Sequence, residues 1–128
     1  MTTILLIEDV SFLRENTSEI LNLAGYNTIS AENGHEGLRM AIAYTPDLII
    51  CDIIMPDIDG YHVLEQLQEA LSLRDIPFIF LTAKSERIDL RRGMEMGADD
   101  YVTKPFTGEE LLIAVQVRLD RAARFQRR

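Results

Sequence analysis

Four apolar segments of this sequence each run into a residue able to handle a charged group. Thr3-Ile4-Leu5-Leu6-Ile7 leads into Glu8-Asp9, and Leu48-Ile49-Ile50-Cys51 leads into Asp52. Ile76 to Leu81 leads into Thr82-Ala83, and Tyr101-Val102 leads into Thr103-Lys104-Pro105. Together they offer three carboxylates, a hydroxyl and an ammonium. Three carboxylates gathered in one place repel, and their pKa values rise unless a cation sits among them. Hard oxygen ligands at a partly hydrated site suit Mg²⁺, which takes one or two carboxylates together with phosphate oxygens. Lys104 adds a point charge and Thr82 a hydroxyl donor, so a phosphoryl group would satisfy both. Carboxylates accept phosphoryl groups through acyl-phosphate intermediates. These residues read as a Mg²⁺-dependent phosphoryl site with Asp52 as the best-placed nucleophile.

That chemistry requires the four segment ends to meet, and the pattern between them says how they could. Apolar runs alternate with helix-period segments along the whole chain. Apolar residues recur at 12/13, 20/21 and 23/24 in a first helix from Ser11 to Ala24, stopped by Gly25. Asn27–Ala31 reads as a second strand, and Asn33 as the N-cap of a helix through Tyr44. Val63, Leu64, Leu67 and Leu71 mark a third helix, which Asp59 would cap just ahead of Gly60. Ser85 would cap a fourth helix carrying Ile88, Leu90 and Met94 and closed by Gly97. Thr107 with Glu110 forms a capping box for a last helix through Leu119. Five β-α repeats with nearly unbroken apolar strands predict a doubly wound α/β domain, a parallel sheet with helices on both faces. In such sheets the ligand crevice lies beyond the carboxyl ends of the strands, where the charged residues fall.

Composition narrows the field. With 128 residues, 47% apolar and 27% charged, the chain is one domain with enough core to fold without staples. No apolar run approaches the roughly 20 residues of a membrane span, and no leader pattern opens the chain. A lone Cys51 points to a reducing, cytoplasmic setting. The net charge of −8 argues against direct nucleic-acid binding. That charge is uneven: residues 118–128 carry five Arg and one Asp, which leaves −12 on residues 1–117. No Gly-rich phosphate loop occurs, and His35 and His62 lack ligand-spaced partners, so both read as surface residues.

Glu8-Asp9, Asp52-Ile53-Ile54-Met55-Pro56-Asp57-Ile58-Asp59-Gly60, Leu81-Thr82-Ala83 and Tyr101-Val102-Thr103-Lys104-Pro105-Phe106, in this order and spacing, resemble a response-regulator receiver domain of two-component signalling, of the chemotaxis-regulator type. The likeness runs from about Thr3 to Leu119. It implies a flavodoxin-like five-stranded parallel sheet in the order 2-1-3-4-5. It also implies that Asp52 takes phosphoryl from a histidine kinase or phosphotransfer protein. Glu8, Asp9, Asp52 and the Ile54 backbone carbonyl would hold Mg²⁺, Thr82 and Lys104 would contact the phosphate, and the Lys104–Pro105 peptide would be cis. Tyr101 falls at the family's aromatic switch position. Its inward turn would alter the face made by the fourth helix, fifth strand and fifth helix, toward an output partner, a downstream domain or a second copy of the chain. The Ile54 side chain would lie near the path of attacking water, with Lys84 opposing its effect.

The receiver would occupy residues 1–120, with 121–128 as a basic extension of the last helix or the start of a linker. Taken singly, each acid also reads as a solvated turn residue or helix cap, and Asp57 and Asp59 read as turn and cap residues. Met40, Met94 and Met96 read as core or core-edge filler. Two other functions share the fold. A phosphorylation-independent interaction module would not need so complete a set of phosphorylation residues. An aspartate-nucleophile phosphatase usually carries a second Asp two residues after its nucleophile, where this chain has Ile54. The expected protein is therefore a phosphoacceptor switch and not a turnover enzyme.

Overall fold

The computed structural model describes residues 1–83 and 90–126. Its elements follow the β-α alternation: β1 (Thr3–Ile7), α1 (Ser11–Leu23), β2 (Asn27–Ala31), α2 (Gly34–Tyr44), β3 (Leu48–Asp52), α3 (Gly60–Glu69), β4 (Phe78–Ala83), α4 (Leu90–Glu95), β5 (Asp100–Lys104) and α5 (Gly108–Gln126). The strands form one sheet in the order β2-β1-β3-β4-β5, and every pairing is parallel. This is the doubly wound order expected from the motifs. None of the described helices is long and apolar enough to cross a membrane.

The three inner strands β1, β3 and β4 are almost wholly apolar because both faces of the sheet are covered there, while the edge strands β2 and β5 are mixed, and alternate residues feed two separate cores. Leu5, Ile7, Ile49, Cys51, Phe78 and Phe80 pack with Ala41 of α2 and Val63, Leu64 and Leu67 of α3. Ile4, Leu6, Leu48, Ile50, Ile79 and Leu81 pack with Leu21 of α1 and Leu111 and Val115 of α5. Truncating one of these fully buried residues to alanine costs about 2–5 kcal/mol, so the sheet is a stiff platform for whatever its ends carry.

The helix starts follow their caps. Asn33 Oδ1 accepts from the Glu36 N–H at 2.8 Å, and Asp59 Oδ1 accepts from the His62 N–H at 2.8 Å. Thr107 Oγ1 accepts from the Glu110 N–H at 3.0 Å, while Glu110 Oε1 accepts back from Thr107 N–H at 3.4 Å. Gly97 closes α4 at φ 113°, a left-handed conformation that costs glycine little.

Several expectations need correction. The third helix ends at Glu69, because Ala70 leaves helical dihedrals at φ −97°, ψ 115°. Leu71 is then 77% exposed, and Leu73 takes the core position instead. β4 begins at Phe78, not Ile76. Pro77 has no N–H to give, and its carbonyl instead accepts from Ile49 N–H at 2.9 Å. β5 is longer than Tyr101-Val102, since it pairs with β4 from Asp100 to Lys104. In α1, Phe12 and Leu23 point outward and Thr17 and Leu21 point inward, so paired apolar positions misjudged the buried face. Met94 is exposed, whereas Met40 and Met96 pack against the core edge. Lys84 and the cap and core roles given to Ser85 and Ile88 lie outside the described residues.

Candidate functional site

β1 and β3 are neighbours at the centre of the sheet, in a register that sets Ile7 opposite Cys51. The next step along both strands brings Glu8 and Asp52 out side by side. Glu8 is fully buried and Asp52 nearly so. Gly60, the first residue of α3, presses against the end of β3. A Cβ there would lie 2.6 Å from the Asp52 carbonyl oxygen, and the Gly60 N–H donates to Ile53 O at 2.7 Å. The Asp52 side chain is oriented by its own backbone, since Oδ1 accepts from the Ile53 N–H at 3.0 Å.

Lys104 comes from the far side of β4. Its Nζ donates to Glu8 Oε1 at 2.7 Å and to Asp52 Oδ2 at 3.2 Å, with 16% of the side chain exposed. Asp9 completes the group: one carboxylate oxygen from each of Glu8, Asp9 and Asp52 lies within 4.8 Å of the others. On β4, Thr82 is buried, and its Oγ1 has no hydrogen-bond partner among the described residues. A buried hydroxyl without a partner forfeits the hydration it had in water.

The electrostatics follow from this crowding. Burial, then the Glu8 carboxylate, pushes the Asp52 carboxyl up to about 8. Burial also acts to raise Glu8, but hydrogen bonds from Asp52 and Lys104 outweigh it and hold Glu8 below its ordinary value. The two acids therefore titrate as a pair, and without a cation the crowding favours a proton shared between them over two adjacent charges. Asp9 is raised by burial and by Glu8. Burial opposes the charge on Lys104, and the Glu8 and Asp52 contacts overcome it, so its pKa is raised. One ammonium does not balance three carboxylates. The donor set of hard oxygens, its surplus negative charge and the unpaired Thr82 hydroxyl fit a divalent cation such as Mg²⁺ and an oxygen-rich anion beside it.

A sequence model of the response regulator receiver domain matches residues 4–116. The chain belongs to the response-regulator receiver family. Among its curated relatives, the DNA-binding dual master transcriptional regulator RpaA of Synechocystis is 39% identical over 124 residues, covering 97% of this chain and 52% of RpaA. The phosphate regulon transcriptional regulatory protein PhoB of Pseudomonas aeruginosa is 38% identical over 119 residues, covering 93% of this chain and 52% of PhoB. The chain thus spans about half the length of the curated relatives it matches. Solved receivers superpose closely. A CheY-like receiver of Methanospirillum hungatei has a TM-score of 0.90 at 26% identity, covering 97% of this chain and 98% of its own. Chemotaxis protein CheY4 of Vibrio cholerae has 0.86 at 29% identity, with 92% and 98% coverage.

In this receiver, Glu8, Asp9, Asp52, Thr82 and Lys104 gather at one end of the sheet, and the Lys104–Pro105 peptide is cis. Ile54 lies two residues beyond Asp52 in the loop to α3, with 48% of its surface exposed. Tyr101 stands apart, on the edge strand with 42% exposed. His35 and His62 are exposed, as expected of surface residues. Two features were missed. Cys51 packs behind the site, its thiol donating to the Asp52 carbonyl oxygen at 3.2 Å. Asp57 also does more than turn the chain, because its carboxylate reaches the start of α2. The short polar-and-glycine stretch around it signalled a turn but not which helix it would meet.

Proposed function

We propose that this receiver is a phosphorylation-controlled switch in which Asp52 accepts a phosphoryl group from a phosphohistidine of a histidine kinase or phosphotransfer protein. Glu8, Asp9, Asp52 and the Ile54 carbonyl would hold Mg²⁺, which when bound supplies positive charge opposite the acids and the transferring oxygens. Asp52 contributes the nucleophile: its carboxylate oxygen bonds to phosphorus as the phosphorus–nitrogen bond breaks, and the imidazole leaves with the electron pair and takes up a proton. The product is an acyl phosphate on Asp52.

Lys104 and Thr82 respond to the new charge. The ammonium, now bonded to Glu8 and Asp52, turns to a phosphate oxygen, and the unpaired Thr82 hydroxyl gains an acceptor. Tyr101 then moves from its exposed position toward the space Thr82 vacates, and the α4-β5-α5 face changes its affinity for an output partner, an effector domain or a second copy. This is a two-state element biased by a local charge event. The transcriptional regulators among its relatives make a transcriptional output the favoured partner, reached through protein contact and not through direct nucleic-acid binding by this domain.

The observation that carries this reading is the convergence of Lys104 on both Glu8 and Asp52 beside a buried hydroxyl that lacks a partner. The test is incubation with acetyl phosphate and Mg²⁺, followed by intact-mass measurement. A gain of one phosphoryl that is lost in Asp52→Asn supports the assignment. Equal labelling of the variant rejects Asp52 as the acceptor.

A further inference from the structure

The loop from Ile53 to Gly60 leaves the phosphoacceptor strand and returns to α3. Its neck is closed by the 2.7 Å bond from the Gly60 N–H to Ile53 O. Between those points the chain has no strand or helix to hold it. Its tip is instead fastened to a different element. Asp57 Oδ1 accepts from the Gly34 N–H at 3.0 Å and Oδ2 accepts from the His35 N–H at 2.8 Å, so one carboxylate spans the first two amides of α2. Ile58 sits directly on Gly34, where any Cβ would collide with its side chain and lie 3.2 Å from its carbonyl oxygen.

This contact is more than helix capping. Asn33 already caps α2 from its own chain end by taking the Glu36 N–H. The amides that Asp57 takes stand at a helix start, where water could serve them. The loop is also held at Met55, buried in the core, and at Ile58, packed at its edge, but between them its backbone runs through solvent. Its outer residues, Pro56 and Asp57, are exposed, and Asp57 gives its tip a paired, charge-assisted hold. A carboxylate suits the task because both its oxygens accept and the α2 dipole favours negative charge.

We infer that Asp57 is a positioning residue for the Mg²⁺ site: by clamping the loop tip to α2 it fixes where Ile54, between neck and tip, presents its carbonyl. This rests on the reading of Ile54 as a Mg²⁺ ligand. It makes α2, which contributes no residue to the crevice, a mechanical support of its geometry. Groups that orient metal ligands typically shift metal affinity by tenfold or more when removed.

The experiment compares Asp57→Ala, Asp57→Asn and Asn33→Ala with the unmodified receiver by Mg²⁺ calorimetry, thermal unfolding and amide hydrogen exchange. Asp57→Ala should weaken Mg²⁺ binding about tenfold, and Asp57→Asn, which keeps one acceptor, should recover part of that loss. Asn33→Ala destabilises the same helix end without touching the loop, so its melting point should fall while its Mg²⁺ affinity stays within twofold. Exchange at Met55 and Ile58 should quicken in Asp57→Ala and not in Asn33→Ala. If Asp57→Ala leaves Mg²⁺ affinity and loop exchange unchanged, or if Asn33→Ala weakens Mg²⁺ equally, the positioning role is overturned. If the unmodified receiver binds no Mg²⁺, the metal reading itself fails. Loop exchange then still decides whether Asp57 holds the tip.

Discussion

The two ends of the sheet treat their acids in opposite ways. At the amino end, Asp47 Oδ2 accepts from Thr3 N–H at 2.7 Å while Asp47 N–H donates to Thr3 O at 2.8 Å. Asp99 makes the same reciprocal pair with Phe78, at 2.7 and 2.8 Å. Each of these carboxylates closes the start of a strand against a backbone amide. At the carboxyl end, Glu8, Asp9 and Asp52 face one another across less than 5 Å with a single ammonium between them. Burial raises both Asp99 and Asp52. At Asp52 the Glu8 carboxylate adds to the rise next after burial, whereas at Asp99 the Phe78 amide and Arg118 act against it and the neighbouring Asp100 contributes least. Acids that the backbone satisfies hold the fold together. Acids left to each other can hold something from outside it.

Substitutions at the two ends should therefore diverge. Asp52→Asn is expected to cut phosphoryl incorporation from acetyl phosphate by at least about a hundredfold. Asp99→Ala should leave incorporation within twofold and instead cost about 1–2 kcal/mol in urea unfolding, the penalty for stranding a backbone N–H. Equal loss of labelling in both variants would erase the distinction between the ends.

Lys104→Met comes next in size. Removing the ammonium leaves Glu8 and Asp52 without a counter-charge, and metal-free stability should fall by about 3 kcal/mol. Mg²⁺ should restore much of it, by mass action on the folded state alone. A variant as stable as the parent without metal would mean that the acids do not repel.

The pH dependence is gentler but sharper in sign. With Asp52 near 8 when folded and at its ordinary 3.8 when unfolded, the folded state holds the extra proton between those values. Metal-free stability from this group is thus greatest below about pH 4 and declines as pH rises toward 8. Asp52→Asn should flatten that slope in unfolding curves taken from pH 6 to 9. A stability that climbs over the same range would contradict the shared proton.

The smallest effect is expected at Thr82→Val. Replacing a buried hydroxyl that lacks a partner by a group of the same shape should be neutral or stabilise by up to about 1 kcal/mol. A clear loss of stability in the metal-free protein would show that the hydroxyl is already satisfied.

The amino-acid sequence revealed the architecture and the crevice for the same reason. Strands buried on both faces read as continuous apolar runs, and the residue ending each run marks the edge where ligands bind. Caps such as Asn33, Asp59 and Thr107 were readable because they act within four residues of themselves. The misreadings were of another kind. Phe12 follows helical spacing yet faces water because burial depends on where α1 lies against the sheet, and Leu71 does so because α3 stops at Glu69 before reaching it. The amino-end pairs of Asp47 and Asp99, and the reach of Asp57 to α2, join residues 21 to 44 positions apart. Local pattern carries no trace of such partners. Tyr101 shows the same limit: its place in the motif was plain, but its outward orientation depends on the edge position of β5.

One further consequence belongs to Lys104. It ends the outermost strand on its side, yet its amine is anchored on the two strands beyond β4. The side chain is thus a guy-rope thrown over an intervening strand. Its tension depends on what the central acids hold. Under the proposed phosphoryl transfer, rehitching that one line to a newly arrived anion would tug the rim of the sheet, and the middle would speak to the border through a single side chain.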